Sequence, residues 1–251
     1  MVKGSGSDIV AAVEAIVLAG GRPDDPLARR FAVPGKCFVP FRGRPLVEHV
    51  LEPLAASGLT TVVVGPDHPL RPAPRLRLPD RGGMLENLEA ALEVARSDKV
   101  LVATGDMPFL SAEAIRYVLG QAPKAGLVYC VVRKEEIERS FPGMRRTYAR
   151  LREGSFTGGN VILLDKALFT SALGLARKVV AQRKNPLALA QMIGWGVLLK
   201  LLLGRLTIPE LEARVSRILG MPARALVVPF AGVGVDIDKE EDLVWLERSE
   251  A

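Results

Sequence analysis

Apolar runs recur at Ala12–Ala19, Thr60–Gly65, Lys99–Thr104, Leu127–Val132, Asn160–Leu164 and Ala225–Pro229, each short and rich in β-branched residues. Helix-period segments separate most of them. The runs are continuously apolar rather than alternating, as strands covered by helices on both faces should be. The pattern predicts an α/β fold with a mainly parallel sheet. Leu46, Val47, Val50, Leu51 and Leu54 form one helical stripe, which Pro53 should kink or shorten. A second helix is predicted from Met84 to Arg96, with Leu85, Leu88, Leu92 and Ala95 on one face and Glu86, Glu89 and Glu93 on the other.

The stretch from Phe169 to Leu219 differs: it is rich in helix formers, and Leu187–Leu203 is apolar nearly all round. Gln191, Gly194, Gly196 and Lys200 interrupt that run, which barely approaches the ~20 residues a bilayer requires. Helices capping the sheet or forming a homodimer interface are the favoured reading. A lid over an apolar acceptor and a membrane-surface contact are the alternatives, the latter because Arg177, Lys178, Arg183, Lys184, Lys200 and Arg205 flank the run.

Length and composition fit a single domain over residues 1–251, with an unstructured lead-in at 1–10 and a helical insertion at 169–222. The formal charge is +6, but the basic residues are scattered and aromatics make up only 5%, so nucleic-acid binding is not expected. Cys37 and Cys130 are the only cysteines, which supports neither a disulfide framework nor a zinc site and fits a reducing cytoplasm. MVKGSGSD lacks the apolar core of a signal peptide.

The candidate chemistry gathers where strands end. The first run closes in Leu18-Ala19-Gly20-Gly21-Arg22, and Lys36 follows. Glycines let backbone N–H groups approach phosphate oxygens, and Arg22 and Lys36 can neutralise a triphosphate tail. Arg29 and Arg30 compete with Arg22 for that role, while Asp24 and Asp25 are expected to face solvent. Arg81-Gly82-Gly83 precedes the second helix, where free N–H groups suit an anion or a base edge. Asp106 follows the run Lys99–Thr104 at the sheet edge where open α/β folds bind ligands, and is the first candidate for Mg²⁺. Asp236 and Asp238 are the second: two apart in a strand, both carboxylates would face one side. Asp238 could instead cap a following helix. Gly159 and Asn160 could serve a second substrate, Arg145, Arg146 and Arg150 could hold its phosphate, and His49 reads as structural or exposed.

LAGGR, PGK and FRGRPLVEHVLEPL, then LVATGDMPFL, FTGGNVILLD and VDIDKEEDL, occur in one order over about 230 residues. In this the chain resembles the MobA-like nucleotidyltransferases, such as molybdenum cofactor guanylyltransferase. The resemblance implies a GT-A-like, Rossmann-like α/β/α fold with an added helical segment in the C-terminal third. It implies transfer of a nucleoside monophosphate, from GTP or CTP by preference, to a phosphorylated small molecule with release of pyrophosphate. By position in the closing motif it gives Asp238 precedence over Asp236 as the second metal ligand. A glycosyltransferase using an NDP-sugar remains the alternative enzyme reading, because such enzymes use a DxD. A non-catalytic nucleotide-binding or membrane-surface protein is the reading outside enzymes.

Overall fold

The computed structural model describes residues 13–22, 24–182 and 194–243. The lead-in and residues 183–193 of the apolar stretch lie outside them. Strands β1 (Val13–Leu18), β4 (Thr61–Val64), β5 (Leu76–Leu78) and β6 (Lys99–Thr104) form the parallel part of one sheet, β1 pairing with β4 and β6. Strands β2 (Pro40–Phe41) and β3 (Arg44–Pro45) make a separate small hairpin. Strand β9 (Gly154–Asp165) runs antiparallel between β6 and β7 (Leu127–Arg133), β8 (Ala149–Leu151) folds back on its start, and β10 (Ala223–Val228) lies parallel to β7. The order is β10-β7-β9-β6-β1-β4-β5. The sheet is thus mixed but mostly parallel, and β9 begins well before the expected Asn160 because its glycine-rich start carries no apolar signature.

Both faces are covered, which is why the strands read as continuous apolar runs. Ala15 and Val17 of β1 face Val47, Val50, Leu51 and Leu54 of α2 (Leu46–Ala56) and Ile115 of α4 (Ala112–Gln121). Ile16 and Leu18 face Leu85 and Leu88 of α3 (Met84–Val94), Phe169 of α6 (Lys166–Gln182) and Leu219 of α8 (Ile208–Leu219). The shorter helices are α1 (Pro26–Arg30), α5 (Lys134–Ser140) and α7 (Trp195–Leu202). Pro53 lies inside α2, which continues to Ala56 with the Ser57 N–H bonded to the Pro53 carbonyl at 3.1 Å. Buried Glu14 is compensated by Arg75, 2.6 Å away, and by the Arg96 N–H at 2.8 Å. Among the described residues no helix is long and apolar enough to cross a membrane.

Candidate active site

Gly105 turns the chain out of β6, its N–H bonded to the Leu18 carbonyl at 2.9 Å, and so sets Asp106 beside the end of β1. The segment 231–238 returns to the same place. Gly232 lies so close to the Phe109 carbonyl that a Cβ would stand 2.0 Å from its oxygen, and the Ile237 N–H donates to the Asp106 carbonyl at 3.0 Å. This segment opens as a 3₁₀ turn, Ala231–Gly234, and its residues 235–238 pair with no strand, so among the described residues the expected DxD strand is absent. Its carboxylates still converge: one oxygen each from Asp106, Asp236 and Asp238 lies within 4.8 Å of the others.

Lys36 starts a single 3₁₀ turn, Lys36–Phe38, and reaches into this cluster. Its Nζ stands 2.7 Å from Asp106 Oδ2 and 2.6 Å from Asp238 Oδ1. Burial alone would pull its pKa down, but the two carboxylates outweigh that and hold the ammonium well above the usual lysine range. Burial likewise works against the Asp238 carboxylate, yet Lys36 keeps it below its ordinary value. Asp236 goes the other way: burial and repulsion from Asp106 and Asp238 raise it, against the pull of Arg146, which forms an ion pair with it. The Asp238 side chain goes to Lys36 rather than to a helix start, and it is Asp242 that accepts the N–H groups of Asp238 and Lys239, at 3.0 and 2.9 Å.

Asp106 Oδ1 is buried without a hydrogen-bond partner. A buried carboxylate oxygen left unpaired is costly, and Lys36 and Arg146 set two positive charges against three carboxylates, which leaves one negative charge of the cluster uncompensated. Hard oxygen donors of this kind fit Mg²⁺. A polar cavity of about 720 Å³, lined by Arg145, Arg146, Thr157 and Asp238 among others, lies alongside.

The glycine turn is cross-linked to the loop before α3. Asp80 accepts the Gly21 and Gly82 N–H groups, each at 2.8 Å, and the Asn87 amide at 2.9 Å, while Asn87 Oδ1 accepts the Arg81 N–H at 2.7 Å. These donors hold the Asp80 carboxylate below its ordinary pKa despite its partial burial. The Gly82 N–H, expected to be free for an anion, is therefore already taken. A Cβ on Gly20 would lie 2.4 Å from Asn87 Nδ2 and 2.7 Å from Asp80 Oδ2, so only glycine fits there. Asp80 and Asn87 escaped the sequence reading. Their signals were an acid just before the glycine pair and a lone amide among the buried positions of α3.

Other expected residues are placed less centrally. Arg22 is 85% exposed and pairs with Asp24 at 3.6 Å, outside the cluster, because the glycine turn carries its side chain into solvent. Arg30 pairs with Glu240. Asp25 is not solvent-directed as expected: its carboxylate caps α1 by accepting the Leu27 and Ala28 N–H groups. Gly159 packs against the Cys130 carbonyl, and Asn160 Nδ2 is buried without a partner. Arg146 serves Asp236 directly. His49 is structural, its Nε2 2.9 Å from the Phe41 carbonyl.

A family model described as the MobA-like NTP transferase domain matches residues 15–194. A probable molybdenum cofactor guanylyltransferase from Methanosarcina acetivorans is 31% identical over 150 residues, covering 54% of this chain. The matched region spans 63% of that relative's length. A hypothetical transferase from Thermus thermophilus is 63% identical with a TM-score of 0.89, covering 92% of this chain and 98% of its own. The 2-C-methyl-D-erythritol 4-phosphate cytidylyltransferase from Thermus thermophilus, 19% identical with a TM-score of 0.56 over 94% of this chain and 97% of its own, shares the fold.

Proposed function

The chain belongs to the MobA-like NTP transferase family and is an enzyme that moves nucleotidyl groups; from this premise we propose that it transfers GMP from GTP to a phosphorylated small molecule, using Mg²⁺. An acceptor phosphate oxygen attacks the α-phosphorus, the bond from that phosphorus to the α–β bridging oxygen breaks, and pyrophosphate leaves with the electron pair. Asp106, Asp236 and Asp238 would hold the metal ion, which supplies neutralising charge to the phosphates when bound. Lys36, shared by Asp106 and Asp238, would also offer its ammonium to the triphosphate at the glycine turn. Arg146 keeps Asp236 aimed at the cluster.

The orphaned Asp106 oxygen inside a three-carboxylate cluster is the observation that carries this reading. Guanine is preferred to cytosine because Asp80 stands at the glycine turn. An ionised carboxylate only accepts, and the guanine edge offers two adjacent donors, N1–H and N2–H, where cytosine has a single donor group, N4, beside acceptors at N3 and O2. The test is pyrophosphate release with each of the four NTPs, Mg²⁺ and a panel of phosphorylated acceptors, beside Asp106→Ala. Release that requires GTP, an acceptor and Asp106 is expected. NTP binding absent altogether would overturn the reading.

A further inference from the structure

A cavity of about 670 Å³ lies between the sheet and helices α3, α6 and α8. Protein interiors pack densely and leave few voids, whereas ligand pockets measure about 300–1,000 Å³. The lining is almost wholly hydrocarbon: Leu18, Met84, Val102, Leu151, Ile162 and Val215 are representative. Tyr129 shows how open the space is. It lies on β7, which has a strand on either side, yet it is 38% exposed. The charged pair on the wall, Glu212 and Arg224, is mutually compensated, and Glu212 also accepts the Ala225 N–H at 2.8 Å.

One end of the cavity meets the candidate active site. Leu18 leads into the glycine turn, Met84 follows Gly83, and Thr157 lines both this cavity and the polar one that holds Arg146 and Asp238. The register Ala103↔Val161 sets Thr104 opposite Asn160, on the face that Val102 and Ile162 present to the cavity. Thr104 Oγ1 and Asn160 Nδ2 are both buried without partners. Two unmet polar atoms between a carboxylate cluster and an apolar cavity suit a ligand that changes from polar to apolar at that level. At the other end, Val197 and Leu201 of α7 pack against Leu151, while Trp195, Leu199, Leu202 and Leu203 stay exposed, so the surface beside the cavity is apolar too.

We propose that the cavity binds the hydrocarbon chain of a phosphate monoester, the acceptor under the reading above, with its phosphate at the Asp106–Asp236–Asp238 cluster and its oxygens near Thr104 and Asn160. A heteroaromatic or sugar acceptor would bury donors and acceptors against a wall that cannot answer them. A saturated acyl-type chain and a branched isoprenoid share the required chemistry.

The test is calorimetric titration of the full chain with butyl, octyl and dodecyl phosphate and with farnesyl phosphate, each below its micellar concentration, with Mg²⁺ present and nucleotide absent. Each buried methylene is worth about fourfold in affinity, so dodecyl phosphate should bind at least roughly a hundredfold tighter than butyl phosphate. The ratio of farnesyl to dodecyl binding tells branched from linear chains. Ala149→Trp at the outer wall and Ile162→Phe in the middle should each abolish the gain while GTP still binds. Equal affinities along the series, or a gain that survives both substitutions, would overturn the proposal. Chain-length-dependent binding without nucleotidyl transfer would strike only the reaction; transfer to short polar acceptors with equal affinities would strike only the cavity assignment.

Discussion

At the carboxyl edge of the sheet Lys36 contacts two carboxylates and Asp80 accepts three N–H groups. Beneath α3, α6 and α8, the wall of the apolar cavity meets its occupant with methyl groups and rings. The two regions share strands β6 and β9 yet fix a ligand in different ways. Directional bonds between distant parts of the chain hold charged groups in one geometry, as electrostatic catalysis requires. An apolar wall selects by shape and area and leaves orientation to be set elsewhere. The chain thus separates positioning from selection, and substitutions in each region should fail differently.

Lys36→Ala should break the comparison most sharply. We expect the transfer rate to fall by at least about tenfold and NTP binding to weaken, as for loss of a charge-stabilising donor. It also leaves three carboxylates facing one another, so Tm measured in EDTA should drop by several degrees and recover with Mg²⁺. An equal loss with and without Mg²⁺ would argue that Lys36 is merely packed there. The pH dependence has a definite sign. Asp238, whose pKa is lowered, contributes stability above its unfolded value of about 4, lost as pH falls through its folded value. Lys36, whose pKa is raised, contributes below its unfolded value of about 10.4, lost as pH rises through its folded value. The wild-type advantage should therefore span about pH 4 to 10 and shrink in acid, which urea titrations at several pH values would show.

Gly20→Ala should have the next largest effect. The added methyl displaces Asn87 and Asp80, so nucleotide affinity should fall by about tenfold while hydrocarbon binding in the cavity is unchanged. Loss of both would mean that the regions are not separable. Leu202→Glu should do least. Leu202 is 75% exposed on α7, and stability should shift by no more than about 0.5 kcal/mol in chemical denaturation. A larger loss would show that this face is covered in solution.

Much of the edge was legible in the sequence because strand ends announce themselves: the apolar runs ending at Leu18 and Thr104 carry the glycine turn and Asp106 directly after them. Asp106, Asp236 and Asp238 were named as candidate metal ligands and Lys36 as a triphosphate contact, and the fold brings these four together. Asp80 and Asn87 were missed because their value comes from each other and from Gly20, contacts that no local pattern encodes. Arg22 lies outside the cluster, since its proximity in sequence to the glycines says nothing of its direction. The cavity was invisible for a different reason: Leu18, Val102 and Ile162 read as ordinary core, and a gap between core residues leaves no mark on hydrophobic periodicity.

The bond between Lys36 and Asp238 joins residues 202 positions apart. Loop closure over such a span comes late and needs the intervening sheet already in place. On the ribosome, a nascent chain that has displayed its glycine turn and Asp106 still lacks the last carboxylates until residues 236–238 emerge. Under the proposed reading, metal affinity therefore needs both Asp106 and residues 236–238. A protein clipped ahead of residue 236 would keep its sheet and the Lys36–Asp106 pair but lose two of the three clustered carboxylates, so under the proposed reading Mg²⁺-dependent stabilisation would report that residues 236–238 are present.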